Sequence, residues 1–143
     1  MDLIKLSANE ALKMMEEGSL SSEEYVKAFL KQIELREDDV GAWIFLDPKL
    51  ALEQAREADK RWKDKSAGKL NGLPIGIKDI IDTKDMPTEN GSHLCKNRKP
   101  SKDAHLVRLL RDEGAVIMGK CVTTEFALSG PGKTKNPKDL ECT

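Results

Sequence analysis

Histidine and cysteine are both scarce in this sequence. His93 and His105 are the only histidines, twelve positions apart and without ligand residues beside them, so the spacing of a metal motif is missing. The three cysteines, Cys95, Cys121 and Cys142, are odd in number, widely spaced and free of any CxxC. That argues against a disulfide framework or a zinc site and for reduced thiols in a cytoplasmic protein. No metal and no cofactor are therefore expected. No apolar run approaches the roughly 20 residues of a membrane span, so no membrane partner is expected either. The opening stretch MDLIKLSANEALKMM has neither the continuous apolar region nor the cleavage site of a secretory signal. An excess of charge is also absent: 24 basic and 25 acidic residues leave a net charge of −1. Such a balance does not suit a phosphate backbone, which sets aside nucleic acid as a direct partner.

What remains is a chain of 143 residues, 38% apolar and 34% charged. It suits one domain of ordinary size with a wet surface and a moderate core. Two helices open it with the same start signal. Ser7-Ala-Asn-Glu10 reads as a capping box, with Leu6 and Ala11 as its hydrophobic staple, and Gly18 ends that helix. Ser21-Ser-Glu-Glu24 repeats the device with Leu20 and Tyr25. Tyr25, Val26, Phe29, Leu30 and Ile33 then make an apolar stripe, a packing face first and a partner-binding face second.

Residues 42–47, AWIFLD, read as a short buried strand closed by Pro48. A helix from about Lys49 to Trp62 carries Leu50, Ala51, Ala55 and Ala58 on one side. After the polar loop 63–69 comes a strand over 73–78, and then DTKDMPTENGS, a loop rich in turn formers. Asp103 or Ser101 can cap the helix AHLVRLLRDE, whose inner stripe is Ala104, Val107 and Leu110, joined by Leu106. Gly114 stands at its C′ position. AVIMGK, 115–120, follows as a buried strand, with Lys120 ending it and pairing locally. Strand, helix, strand predicts a parallel βαβ unit. VTTEFALSG reads as a short helix or turn, and the tail as loop.

Lys78 is the residue that asks for a function. It ends an apolar alternation at the C-terminal end of a parallel strand, where α/β sheets place ligands. It can be a snorkelling lysine with a buried stem. IGIK superficially matches the VAIK of kinases, but no Gly-rich loop precedes it and no HRD follows. A desolvated lysine can also act as a proton acceptor. Ser92, Thr123 and Thr124 are hydroxyls in potential reach, none on a strand-to-helix elbow, and Cys121 lacks a partner histidine. Asp79 and Glu125 could orient such a site, or simply be solvated or capping carboxylates.

The runs LNGLPIGIKDIIDTKDMPTENGS and DAHLVRLLRDEGAVIMGKCVTTEFALSGPGKTKNP resemble the amidase signature family, densely from Leu70 to Pro137. The resemblance implies an α/β fold with a mixed β-sheet flanked by helices, and an amide hydrolase using a serine–cis-serine–lysine triad. The lysine matches Lys78, the one catalytic residue expected here; the substrate channel matches Ala127, Leu128 and Ser129. The bridging serine and the nucleophile of the family lie in a Gly-Gly-Ser-Ser-rich stretch that these residues do not contain. Residues 1–143 are thus expected to be the N-terminal portion of a single amidase domain, with 1–36 a helical lead-in and 42–143 an α/β part. Alone they are expected to be inactive. The expected partners are a small-molecule amide substrate, the missing C-terminal part of the same domain and, where strand edges are left open, a second copy as a homodimer. CVTTEFALSG looks more like stand-alone amidases than like the A subunit of a tRNA-dependent amidotransferase. That subunit stands as one alternative and a non-catalytic module as another.

Overall fold

The protein is described by a computed structural model covering residues 2–128 and 130–143. Helices α1 (Ala8–Glu16), α2 (Ser22–Val40), α3 (Pro48–Lys63) and α4 (His105–Asp112) accompany strands β1 (Trp43–Leu46), β2 (Pro74–Lys78) and β3 (Val116–Cys121). The strands form one sheet in the order β1-β3-β2. β1 runs antiparallel to β3. The Val116 N–H donates to Leu73 O and the Asp79 N–H to Cys121 O, both advancing in the same sense, so β2 and β3 are parallel. The sheet is mixed, as expected. Among the described residues no helix is long and apolar enough to cross a membrane.

The chain divides into two compact units. The first comprises Met1–Ile33, Asp47–Ile75 and Leu109–Met118. Both capping boxes form in it. The Ser7 N–H donates to Glu10 Oε2 at 2.8 Å, and the Glu10 N–H to Ser7 Oγ at 3.3 Å. Ser21 and Glu24 repeat the exchange at 3.0 and 3.1 Å. These bonds favour the ionised carboxylates and hold Glu10 and Glu24 below their ordinary range. Ala11, Met15, Leu20, Tyr25 and Leu73 form one buried cluster. Tyr25 and Phe29 meet edge to face, with ring centroids 5.0 Å apart.

α3 starts on Asp47, whose carboxylate accepts from the Leu50 N–H, with Pro48 in the first turn. Pro48 therefore opens the helix as well as closing the strand. Its buried face is Ala51, Ala55 and Ala58. Gln54 does more than fill space. Its side-chain amide accepts from the Ile117 N–H at 3.1 Å and donates to Ile117 O at 3.0 Å. β1 pairs with β3 only as far as Gly119. Beyond that point Gln54 replaces a strand residue and satisfies a buried backbone pair.

The second unit comprises Glu34–Leu46, Gly76–Arg108 and Gly119–Thr143. Glu37 launches β1 by accepting from the N–H groups of Ala42 and Trp43 at 3.1 and 2.8 Å. β1 is an edge strand and is not buried as the sequence suggests: Ile44 is 47% exposed. Leu106 also departs from expectation. Val107 is buried on α4, but Leu106 is 51% exposed, because adjacent helical positions point about 100° apart. β3, by contrast, is buried from Val116 to Lys120.

Arg98 clasps the loop after β2 by donating to both oxygens of Asp82, at 2.6 and 2.9 Å. Those bonds hold the Asp82 carboxyl below its ordinary value. A carboxyl lowered on folding adds stability that is complete above its unfolded value of about 3.9 and vanishes as pH falls through the lowered value. We expect Arg98→Met to be less stable than the wild type at pH 6, with a smaller gap at pH 3, below the ordinary carboxyl value of about 3.9. Urea midpoints at the two pH values measure it.

Candidate active site

The end of β2 sorts its side chains by alternation. Ile77 and Asp79 turn to the buried side, and Gly76 and Lys78 to the other. A Cβ on Gly76 would fall 2.6 Å from Cys121 Sγ and 3.0 Å from the Trp43 ring, so those two groups press against the Lys78 face. Lys78 itself is exposed. It borders an open cleft of about 610 Å³ with Thr123, Thr124, Pro131, Thr134 and Lys135. Among the described residues nothing hydrogen-bonds or ion-pairs with its ammonium.

The buried lysine is Lys120. Its side chain is 0% exposed and its ammonium lies 3.6 Å from Asp79 Oδ1, itself only 2% exposed. The ammonium donates to Ile81 O at 2.8 Å, to Pro87 O at 3.3 Å, and to the hydroxyls of Thr83 and Thr88. Burial pushes its proton affinity down, opposed by the Asp79 charge. The Asp79 carboxylate also accepts from the N–H groups of Glu89 and Gly91. One buried ion pair thus gathers the strand end and the loop behind it.

A second cleft, of about 520 Å³, is lined by Asp79, Gly91, Ser92, Thr123, Thr124 and Glu125 among others. The hydroxyls there are committed. Ser92 donates to Glu125 Oε1 at 2.6 Å, Thr123 to Thr124 O at 3.0 Å, and Thr124 to Leu128 O at 2.9 Å. Burial raises the Cys121 thiol, which opposes a role as nucleophile. We expect Ellman's reagent at pH 8 to label exposed Cys142 at least about tenfold faster than Cys121, read by peptide mass spectrometry.

A family profile described as Amidase matches residues 24–143. The chain belongs to the amidase family. The A subunit of the glutamyl-tRNA(Gln) amidotransferase of Geobacter sp. (strain M21) is 36% identical over 100% of this chain and 31% of its own length. The native peptide amidase of Stenotrophomonas maltophilia superposes with a TM-score of 0.80 at 34% identity, over 85% of this chain and 26% of that one. A fatty acid amide hydrolase gives 0.85 at 29% identity, over 96% and 26%. The chain therefore spans only 26–31% of the length of these relatives.

Within this amidase-family chain, Lys78 stands at the strand end where it was expected, but it is not desolvated. Cys121 and the Trp43 ring cover that face only at Gly76, and Lys78, at the end of the outer strand β2, stays exposed. Ala127 and Leu128 are exposed and do not line the Lys78 cleft, whereas their neighbours Thr124 and Gly130 do. Ser129 lies outside the described residues. Phe126 and Ala127 take left-handed backbone angles, φ 49° and 55°, in a single 3-10 turn. The sequence-based reading offered Asp79 as a residue that could orient the site but missed its buried pairing with Lys120. Lys120 lies inside β3 and pairs across the sheet, where a lysine at the strand end was expected to pair locally. A lysine within an otherwise apolar run, AVIMGK, was the available signal, since a buried charge demands a partner.

Proposed function

We propose that residues 1–143 are the N-terminal portion of a single amidase domain and supply the proton-accepting lysine, Lys78, of a serine–cis-serine–lysine amide hydrolase. One observation carries this: the Lys78 amine borders an open cleft with no partner, while the adjacent Asp79 is locked in place. In the reaction, a serine oxygen attacks the amide carbon while its proton passes through the bridging serine to Lys78. The C–N bond breaks, the amine leaves carrying a proton returned from Lys78, and water hydrolyses the acyl-serine ester. Among the described residues neither serine has a candidate. Ser92 is already bonded to Glu125, and both triad serines would come from polypeptide seated on the open face of β2. A small-molecule amide is the substrate, and that face is filled by the same domain rather than by a second copy.

The test is a chimera in which this chain replaces the aligned part of the Stenotrophomonas maltophilia peptide amidase. We expect hydrolysis of a peptide carboxamide, and Lys78→Ala to slow it about 10²–10⁴-fold. Equal rates in the two chimeras would refute the role of Lys78. The 143-residue chain alone is expected to show no turnover.

A second reading has its own support. The amidotransferase A subunit from Geobacter is 36% identical over the whole chain. Under it, the amide consumed is glutamine and the nitrogen passes to a partner subunit. Release of glutamate from glutamine, with no hydrolysis of other carboxamides, separates it from the first.

A further inference from the structure

Lys120 takes no part in the proton transfers above, yet it is fully buried and holds more of the site than any other side chain described. We propose that Lys120 is a positioning residue for Lys78: its ammonium fixes, through Asp79 and the 81–88 loop, the strand end that presents the Lys78 amine. The proposal rests on Lys78 carrying the chemistry described above.

The geometry gives two independent ties. The first runs through Asp79, the residue next to Lys78. Its carboxylate lies 3.6 Å from the Lys120 ammonium. Its backbone N–H donates to Cys121 O at 2.9 Å, and its carbonyl accepts from the Asn90 N–H at 2.9 Å. Every polar group of Asp79 is thereby committed. The second tie runs through the turn that leaves the strand. The Ile81 N–H donates to Lys78 O at 3.0 Å, and Ile81 O accepts from the Lys120 ammonium at 2.8 Å. The Asp79 side chain and the carbonyl of the turn after it are thus both held by a single cation. The same cation grips Thr83, Pro87 and Thr88, and Asp79 grips Glu89 and Gly91. Gly91 and Ser92 wall the cleft beside Thr123 and Thr124, which also border the Lys78 cleft.

Charge chemistry explains why a lysine is used. Carbonyl and hydroxyl oxygens converge on one point around a carboxylate, and an ammonium offers three donors on a single compact centre. A methyl or thioether there would leave a buried carboxylate without its cation and the carbonyls of Ile81 and Pro87 without the ammonium donor. Lys78, on the opposite face, remains free of such ties. The two lysines divide the work: one is immobilised so that the other is presented.

Residue-resolved amide hydrogen exchange on the 143-residue chain tests this, together with the NMR signal of 13C-dimethylated Lys78, assigned by its loss in Lys78→Arg. The variants are Lys120→Met and the milder Thr88→Val. Exchange at Ile81, Glu89, Asn90 and Gly91 is expected to quicken by about tenfold relative to Val116 and Met118, with the Lys78 signal displaced. A lysine that merely adds stability would lower protection evenly and leave the Lys78 signal of the folded molecules in place. Even loss, or an unmoved Lys78 signal in both variants, overturns the proposal. Thr88→Val alone decides if Lys120→Met does not fold. No substrate is used, so failure here is distinct from failure of the hydrolysis test at Lys78.

Discussion

Lys120→Met is expected to lower the free energy of unfolding by about 3–5 kcal/mol, while Lys78→Met changes it by less than about 0.5 kcal/mol. The two lysines lie at the paired ends of neighbouring strands, and the sequence offers little to separate them. Their environments are opposite. Lys120 is fully buried against Asp79, and Lys78 is exposed. Methionine fills the space of the four-atom apolar stem of lysine and lacks only the ammonium, so the loss at position 120 is chiefly one of charge and hydrogen bonds rather than of packing. It comes from Asp79, left as a buried carboxylate without its cation, and from the oxygens of Ile81, Thr83, Pro87 and Thr88, left without a donor. For a domain of ordinary total stability, about 5–15 kcal/mol, this is a large share. Urea unfolding of the two variants beside the wild type measures it. Equal small losses would mean that Asp79 finds water or another donor.

Gly119→Ala is expected to lose about 2–3 kcal/mol, at the upper end for overpacking. A Cβ at Gly119 would stand 2.3 Å from Phe45 O and 3.1 Å from Leu46 Cα. Both obstacles are backbone, so no side-chain rotation relieves them. The pairing of β1 with β3 is irregular between Trp43 and Phe45, where two steps on β1 answer one on β3. That bulge brings the β1 backbone across the face of Gly119, a recurrent use of glycine within strands. The strain would be relieved by pushing β1 outward and loosening Trp43. A red shift of tryptophan emission, together with a lower urea midpoint, is the expected signature. An unchanged midpoint would show that β1 yields without cost.

Local chemistry was legible in the sequence wherever it is decided within a few residues. The capping boxes at Ser7 and Ser21, the glycine stops at Gly18 and Gly114, and the strand over 74–78 depend on side chains that reach only their own turn or on short-range periodicity. The family motifs around Lys78 belong to the same class. Sequence by itself thus determined the order of elements, the amidase kinship and the lysine at the strand end. It could not determine which strand lies at the edge, because that depends on pairing between segments some 75 residues apart, Trp43–Leu46 with Gly119–Cys121. That pairing left β1 half-exposed, while Lys78, at the end of the outer strand β2, stays exposed. It also turned Lys120 inward to Asp79, across 41 residues of chain. The fate of a charged side chain follows from its dielectric surroundings and its partner, and both are supplied by residues that only the tertiary fold brings together.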